Sequence, residues 1–450
     1  MPRDLGPIFK AYDVRGVVPD QLDDDAARRI GEAFAEWAGA EAIAVGRDCR
    51  LSSPALAGAL MEGVTSRGVD VWDLGLVSTD LLYFASGDLD VPGVSVTASH
   101  NPPQYNGLKF CRAGAAPVGE DTGLGEIRSL AERDGGGPAA VKPGRVAERD
   151  MLDRFVEHVM TFVDADSMVP LTVATDTANG MGGLVVPAVM DRLPVKLIAL
   201  YQDLDGTFPN HPADPINPEN QVDLKRAVME NQADVGLAFD GDADRVFLVD
   251  EHAEGVSGSL VTALVARAIL EKEPGATILH NLICSWVVPE VIKESGGVPV
   301  RTRVGHSFMK QVMAETGAAF GGEHSGHYYF RDNYRADSGL IAAVIVLGQM
   351  SKAGRPLSEL LDPFKRYFAS GEINSHVDAA AATIERLAAY YRDGKQDRLD
   401  GLTVEFPDWW FNARPSNTEP LLRLNVEARR ADLLAEKTDE LLALIREGAS

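Results

Sequence analysis

Three carboxylates at alternating positions, Asp240, Asp242 and Asp244, stand in a short glycine-containing segment between two apolar runs. Carboxylates spaced in this way can direct their oxygens at one hard cation, and Mg²⁺ prefers about six oxygen ligands. The segment begins like an EF-hand loop, but Arg245 follows at once and no glycine occupies loop position six. The spacing therefore predicts a magnesium site, and a solvated acidic turn is the alternative.

A serine that could carry a phosphoryl group, Ser99, follows the strand-like run 93–97. His100 and Asn101 stand beside it, and two prolines stiffen the turn that follows, so Ser99 is a candidate nucleophile. The segment is not a G-x-S-x-G elbow, which leaves acyl transfer without support. A capping turn is the alternative for this segment taken alone.

A glycine-rich segment at 321–329 contains Glu323, Ser325 and His327. Glu323 and Ser325 could hydrogen-bond neighbouring hydroxyl groups of one ligand. No third histidine or cysteine stands at zinc spacing, so a zinc site is disfavoured. An ordinary glycine-rich turn is the alternative.

The segment 414–420 combines an arginine with several short donors. This combination suits a phosphate dianion, because the guanidinium forms a bidentate fork and successive N–H groups can add a nest. A capping turn before the strand that follows is the alternative. The donors are Arg414, Ser416, Asn417 and Thr418.

The composition limits the partners of the chain. Its 450 residues carry a net charge of −24, which should repel nucleic acid, anionic membranes and anionic metabolites, so any phosphate site must be a local basic pocket. Three scattered cysteines argue against a disulfide framework. The first ten residues lack the apolar core of a signal peptide and no apolar run is long enough to span a bilayer, so we expect a cytoplasmic protein.

The elements that must position these residues alternate between helix and strand, which predicts an α/β fold with mostly parallel sheets. Asp24–Ala38 is predicted to be a helix, and Val235–Phe239 a strand before the acidic loop. In the last unit we expect two strands, Leu402–Phe406 and Leu421–Ala428, and the helix Ala431–Glu447. The predicted domains are 1–150, 151–254, 255–370 and, as a smaller α+β domain, 371–450.

Five segments together resemble the α-D-phosphohexomutase family, in its phosphomannomutase and phosphoglucomutase branch. The resemblance implies four domains in a heart-shaped arrangement around a central cleft, with three related α/β domains and a smaller fourth one. At residues 281–286, relatives often carry a basic residue where this chain has apolar ones, so we assign no phosphate-binding role there. The five segments are Phe9–Gly16, Thr97–Phe110, Gly236–Asp250, Gly321–Phe330 and Arg414–Leu424.

The resemblance also implies roles for single residues. Ser99 would be the phosphoserine and would contact the Mg²⁺ held by the three aspartates. The catalytic group would further include Lys109 and His327 for acid–base chemistry and Arg15 near the transferring group. The substrate would be bound by Tyr12, His100, Arg245 and His306, by Glu323 and Ser325 at the sugar hydroxyls, and by Arg414, Ser416, Asn417 and Thr418 at the phosphate.

The activity implied is the interconversion of hexose 1-phosphate and hexose 6-phosphate, with mannose or glucose as the sugar. It would proceed through a hexose 1,6-bisphosphate that turns end for end. The alternatives are a phosphoglucosamine mutase, a metal-dependent sugar-phosphate phosphatase and a non-catalytic sugar-phosphate binding protein. We expect the protein to be a monomer or a dimer. Its expected binding partner is the small phosphosugar substrate.

Overall fold

A computed structural model describes residues 3–133, 140–377, 379–415 and 421–446, without the side chains of Asp121 and His306. The strands of these residues form four sheets, one for each of four consecutive parts of the chain. The chain is therefore an α/β protein of four domains with mixed sheets, as the sequence predicts. Within the described part of the chain, no helix is both long and apolar enough to cross a membrane.

The first domain contains a mixed sheet with strand order β1-β5-β4-β2-β3-β7, and β6 pairs with β5. The segment that contains Ser99 follows β4 at the carboxyl end of the parallel strands, where side chains from successive loops can meet. Its strands are β1 (Val14–Val17), β2 (Ala42–Arg47), β3 (Asp70–Leu76), β4 (Gly93–Val96), β5 (Tyr105–Arg112), β6 (Ala116–Pro117) and β7 (Val146–Glu148), and its helices are α1 (Asp24–Ala38), α2 (Ser53–Ser66), α3 (Thr79–Leu89) and α4 (Leu124–Ala131).

The second domain has the strand order β12-β11-β10-β8-β9. Strands β10 and β11 are antiparallel and buried along their whole length, so the acidic loop between them is held at both ends. The elements are α5 (Leu152–Met160), β8 (Leu171–Asp176), α6 (Gly182–Met190), β9 (Val195–Leu200), α7 (Val222–Asn231), β10 (Val235–Phe239), β11 (Val246–Asp250) and β12 (Gly255–Val256).

The third domain has the strand order β14-β13-β15-β16. Its helix α11 is buried for most of its length and packs in a core shared by the first three domains, so these domains are fixed relative to one another. The elements are α8 (Gly258–Lys272), β13 (Thr277–Asn281), α9 (Val287–Glu294), β14 (Val298–Thr302), α10 (His306–Thr316), β15 (Phe320–Gly322), β16 (Tyr328–Phe330), α11 (Gly339–Ala353) and α12 (Leu357–Leu361).

The fourth domain is an antiparallel sheet with its own core and the order β17-β21-β20-β19-β18. The prediction of two strands here was incomplete, because the sheet contains three further strands. The elements are β17 (Phe368–His376), α13 (Ala380–Tyr390), β18 (Lys395–Asp397), β19 (Leu402–Glu405), β20 (Trp409–Pro415), β21 (Leu421–Ala428) and α14 (Ala431–Arg446).

Candidate active site

The Ser99 hydroxyl lies against the acidic loop of the second domain. Its Oγ donates a hydrogen bond of 2.7 Å to Asp240 Oδ2, and the residue is 4% exposed. The backbone of Ser99 is left-handed, with φ of +50°, a conformation that costs free energy in a residue other than glycine. A hydrogen bond of 3.0 Å from Ser99 N to Thr97 Oγ1 supports this turn after β4. The strained turn directs the hydroxyl out of the first domain and toward the aspartates.

The three aspartates converge as the alternating pattern predicts. One carboxylate oxygen from each of Asp240, Asp242 and Asp244 lies within 4.8 Å of the others, and all three residues are buried. Asp242 Oδ1 and Asp244 Oδ1 are buried without a hydrogen-bond partner among the described residues. A buried carboxylate oxygen without a partner destabilises the fold. A hard cation, which prefers oxygen ligands, would give both of these oxygens a partner. The residues present therefore fit a divalent cation.

Two cations neutralise part of this acidic cluster. Lys109 Nζ donates hydrogen bonds of 2.7 Å to both Asp242 Oδ2 and Asp244 Oδ2. Arg245 donates to Asp240 Oδ2 from Nη2 at 2.8 Å and from Nε at 3.0 Å. Burial opposes the charge of Lys109, but the two carboxylates outweigh it and raise the pKa of the ammonium well above its ordinary value. Lys109 therefore remains protonated in this arrangement.

His100 is held neutral beside Ser99. Arg245 Nη2 donates to His100 Nδ1 at 2.6 Å, and Ser99 Oγ lies 3.2 Å from the same nitrogen. Burial and the neighbouring guanidinium of Arg245 lower the pKa of His100 well below its ordinary value. The structure thus places His100 next to the candidate nucleophile as a hydrogen-bond acceptor.

His327 reaches the acidic cluster from the third domain. Its Nδ1 lies 2.9 Å from Asp337 Oδ2, and ligand atoms of Asp244, His327 and Asp337 all lie within 4.8 Å of one another. Lys310 Nζ, which is buried, lies 2.8 Å from Asp337 Oδ1 and 3.8 Å from the ring centroid of Tyr83. With Nδ1 bonded to the carboxylate, Nε2 is the nitrogen of His327 left for proton exchange.

Glu323 and Ser325 lie on the turn between β15 and β16, and Glu323 is already engaged. Tyr329 donates to Glu323 Oε1 at 2.5 Å, while Asn281 Nδ2 at 3.0 Å and Gly305 N at 3.4 Å donate to Oε2. Ser325 is half-buried on the same turn. The carboxylate is therefore oriented by the protein and remains able to accept a further hydrogen bond.

Arg15 and Tyr12 border the site in the first domain. Arg15 bonds Asn101 Oδ1 and Asp13 Oδ2, both at 2.5 Å, which ties it to the Ser99 loop. The Tyr12 ring packs edge-on against Phe308 of the third domain. Burial raises the pKa of Tyr12, and guanidiniums of the third and fourth domains act on it in the opposite direction. Charged groups of the third and fourth domains thus meet around this phenol of the first domain.

The predicted phosphate clamp, which comprises Arg414, Ser416, Asn417 and Thr418, is only partly within the described residues. Arg414 lies near the end of β20 and donates from Nη2 to Glu372 Oε2 at 2.8 Å. Its Nε is buried without a hydrogen-bond partner in residues 3–133, 140–377, 379–415 and 421–446. Helix α10 begins at His306, whose side chain is not described. The predicted donors Ser416, Asn417 and Thr418 lie outside the described residues.

The apolar loop 281–286 packs on the fourth domain. Trp286 N donates to Glu427 Oε1 at 2.9 Å, and the Trp286 ring lies 6.5 Å from that of Trp410. The loop without a basic residue thus contributes to the contact between the third and fourth domains.

Several residues of the site were missed by the sequence reasoning. Thr79 Oγ1 donates to Asp242 Oδ2 at 2.6 Å, Arg50 donates to the Ser99 carbonyl at 2.8 Å, and Asp337 orients His327. Asp337 precedes an apolar helix and Arg50 follows a buried strand, the places where polar residues of α/β sites gather. The position of Asp337 and Arg50 at the ends of these elements is the signal in the sequence that could have indicated these two residues.

Comparison with protein families shows a match to all four parts of the chain. Residues 6–135, 153–255 and 257–367 match the models described as phosphoglucomutase/phosphomannomutase, alpha/beta/alpha domains I, II and III. Residues 372–444 match the corresponding C-terminal domain.

Full-length relatives are similar throughout. A phosphomannomutase of Salmonella montevideo is 42% identical, with 97% of this chain and 98% of the relative covered. An enzyme of Xanthomonas campestris pv. campestris named "phosphohexose mutases" is 41% identical, with coverage of 98% and 99%. A crystal structure of a phosphoglucomutase/phosphomannomutase family protein from Burkholderia thailandensis superposes with a TM-score of 0.90 at 34% identity, covering 98% of this chain and 97% of that one.

Proposed function

This chain belongs to the phosphoglucomutase/phosphomannomutase family and is a phosphohexomutase, and we propose that it moves a phosphoryl group between O1 and O6 of mannose or glucose through Ser99. In this proposal, phosphorylated Ser99 transfers its phosphoryl group to one hydroxyl group of the sugar phosphate. The resulting hexose 1,6-bisphosphate turns end for end and returns its other phosphoryl group to Ser99.

The observation that supports the proposal most strongly is the juxtaposition of Ser99 with the acidic loop. The hydroxyl lies 2.7 Å from Asp240, beside two buried carboxylate oxygens that have no hydrogen-bond partner in the described part of the chain. Asp240, Asp242 and Asp244 would hold Mg²⁺ with Ser99, and the ion would neutralise charge that develops on the phosphoryl oxygens.

The surrounding side chains support the transfer in three further ways. Lys109 keeps its proton and brings a positive charge to the aspartates next to the transferring group. His327, oriented by Asp337 through Nδ1, accepts the proton of the attacking sugar hydroxyl at Nε2. Arg15, tied to the Ser99 loop through Asn101, faces the same phosphoryl group.

A substrate that binds in two orientations needs contacts that do not depend on which end carries the phosphate. We assign the sugar hydroxyls to Glu323 and Ser325, and the distal phosphate to Arg414 with Ser416, Asn417 and Thr418. The remaining proposed substrate contacts are Arg245, His306, Tyr12 and His100. Mannose and glucose differ only at C2, so a site that contacts their shared hydroxyls should accept both.

The domain boundaries 1–150, 151–254, 255–370 and 371–450 remain part of the proposal. It also includes a cytoplasmic location, supported by three cysteines that are free in the structure, and a monomeric or dimeric state.

Replacement of the nucleophile tests the proposal. Ser99→Ala should reduce conversion of mannose 1-phosphate at least about a thousandfold in the presence of Mg²⁺ and a trace of the 1,6-bisphosphate. Ser95→Ala is the matched control, since Ser95 is equally buried on β4 and its Oγ has no hydrogen-bond partner among the described residues. Near wild-type turnover in Ser99→Ala would contradict the assignment.

The same assay separates the alternatives. Mannose, glucose and glucosamine 1-phosphates are compared, and inorganic phosphate is measured beside the 6-phosphate product. A preference for glucosamine 1-phosphate would favour the phosphoglucosamine mutase. Release of phosphate faster than isomerisation would favour the phosphatase.

A further inference from the structure

The guanidinium of Arg50 is buried in the first domain and uses all of its donors. Arg50 follows β2 and is 1% exposed. Its Nε donates to Asp48 Oδ2 at 3.1 Å, and Nη1 and Nη2 each donate two hydrogen bonds to main-chain carbonyls of the Ser99 loop. The four acceptors are the carbonyl oxygens of Ser99 at 2.8 Å, Asn101 at 2.6 Å, Pro102 at 2.8 Å and Tyr105 at 3.0 Å. Five N–H donors thus meet five acceptors.

Four main-chain carbonyls between residues 99 and 105 converge on this one cation. Buried carbonyl groups need hydrogen-bond partners, and a carbonyl left without one destabilises the folded loop. The loop also contains the left-handed backbone of Ser99, which persists only when its surroundings enforce it. Arg50 supplies the donors around which this loop can close.

The second domain covers the other side of the same group. The Phe208 ring centroid lies 5.0 Å from Arg50 Cζ. A Cβ at Gly241 would lie 2.3 Å from Ser99 O, so the acidic loop runs directly against the carbonyl that Arg50 binds. Arg50 therefore holds Ser99 at the boundary between the first and second domains, where Ser99 contacts the acidic loop.

We propose that Arg50 is a positioning residue for phosphoryl transfer, which fixes the Ser99 loop so that the hydroxyl faces the aspartates. Its consequence for the rate rests on the proposed function, whereas its effect on the order of the loop does not. Lysine cannot replace it, because an ammonium offers three donors from one point and cannot reach five acceptors arranged around a plane. The hydrogen bonds of Arg50 go to Asp48 and to the Ser99 loop and not to Glu323, Ser325 or Arg414, so its loss should lower kcat far more than it changes KM.

Arg50→Lys and Arg50→Ala test this assignment, with Arg67→Lys as the matched control on the outer side of the same domain, where Arg67 bonds Glu32. We expect kcat to fall about a hundredfold in Arg50→Lys with KM within threefold of wild type. Guanidinium ion should raise kcat of Arg50→Ala at least tenfold and leave Arg67→Lys unaffected. A kcat within threefold of wild type in Arg50→Lys, or no rescue of folded Arg50→Ala, would overturn the proposal.

Amide hydrogen exchange provides a readout that does not require activity. Exchange in 99–106 should rise at least tenfold in the Arg50 variants and remain unchanged in β10 and α11. If both variants fail to fold, Asp48→Asn weakens the Nε contact, while its remaining oxygen can still accept from Arg50 N and Ser53 Oγ. This variant should raise exchange in the same segment, and unchanged exchange there would refute the positioning role of Arg50. An inactive wild-type enzyme would defeat the proposed function and leave this exchange test intact.

Discussion

Gly241 is the residue at which the acidic loop comes closest to the candidate nucleophile. A Cβ built on Gly241 would lie 2.3 Å from Ser99 O and 3.4 Å from Ala213 Cβ. Contacts of a Cβ below 3.0 Å are essentially never seen, and the atom in the way belongs to the backbone, so it cannot turn aside as a side chain can. Gly241→Ala must therefore separate the two loops.

The size of the effect follows from these distances. Restoring 3.0 Å requires a shift of at least 0.7 Å, the difference between 3.0 and 2.3 Å. A shift of this size along the hydrogen bond of 2.7 Å from Ser99 to Asp240 would stretch it to about 3.4 Å, outside the normal range. A displacement of roughly 1 Å can cost about a hundredfold in rate, which corresponds to about 2.7 kcal/mol of barrier.

Steady-state mutase kinetics at saturating Mg²⁺ measure the effect. We expect kcat of Gly241→Ala to fall about a hundredfold with a smaller change in KM, because Glu323 and Ser325, the residues proposed to bind the sugar hydroxyls, lie on the third domain. Gly58→Ala is the control: no atom lies within 4 Å of the added Cβ, and alanine inside α2 should be neutral or stabilising. Activity within threefold of wild type in a folded Gly241→Ala protein would refute the reasoning.

Three more changes test the surroundings of the site. Lys109→Met removes the ammonium group that Asp242 and Asp244 share, so mutase activity should fall at least about a hundredfold. The Mg²⁺ concentration that gives half-maximal activity should not rise, and a rise would contradict this prediction. Thr79→Val removes the 2.6 Å donor to Asp242 and should cost about 1.5–3 kcal/mol of unfolding free energy in urea, whereas Thr79→Ser should keep most of it; equal losses would argue against the bond. Burial lowers the pKa of His280 in the folded protein to about 4. As the pH falls below about 6.5, His280 therefore becomes protonated in the unfolded chain but not in the folded protein, which favours unfolding. Between pH 8 and pH 5 the wild type should lose about 2 kcal/mol more free energy of unfolding than His280→Gln. Parallel pH profiles of the two proteins would exclude that linkage.

The parts of the site that could be predicted are those encoded in short segments. Asp240, Asp242 and Asp244 share one loop between two apolar strands, so their convergence needs only the local hairpin. Ser99 was identified by the residues beside it and by the end of a strand, again a local signal. The fold class followed in the same way, because alternating apolar periodicities determine which segments become strands and helices.

The fourth domain shows where local signals fail. The buried strand at 409–415 is not among the strands predicted from the sequence. Whether such a segment is a strand depends on neighbours that bury it, here β19 and β21.

The amino-acid sequence alone determined the chemistry that is available: three carboxylates for a cation, a serine for a phosphoryl group, and an order of elements that yields three α/β units and a smaller α+β unit. Only the tertiary structure decided which distant side chains complete the site, such as Thr79 on Asp242 and Arg50 on the Ser99 carbonyl. The reason is physical. A strand and its loop are specified by residues a few positions apart, whereas contacts between domains arise from the burial of a shared core, which no short segment encodes.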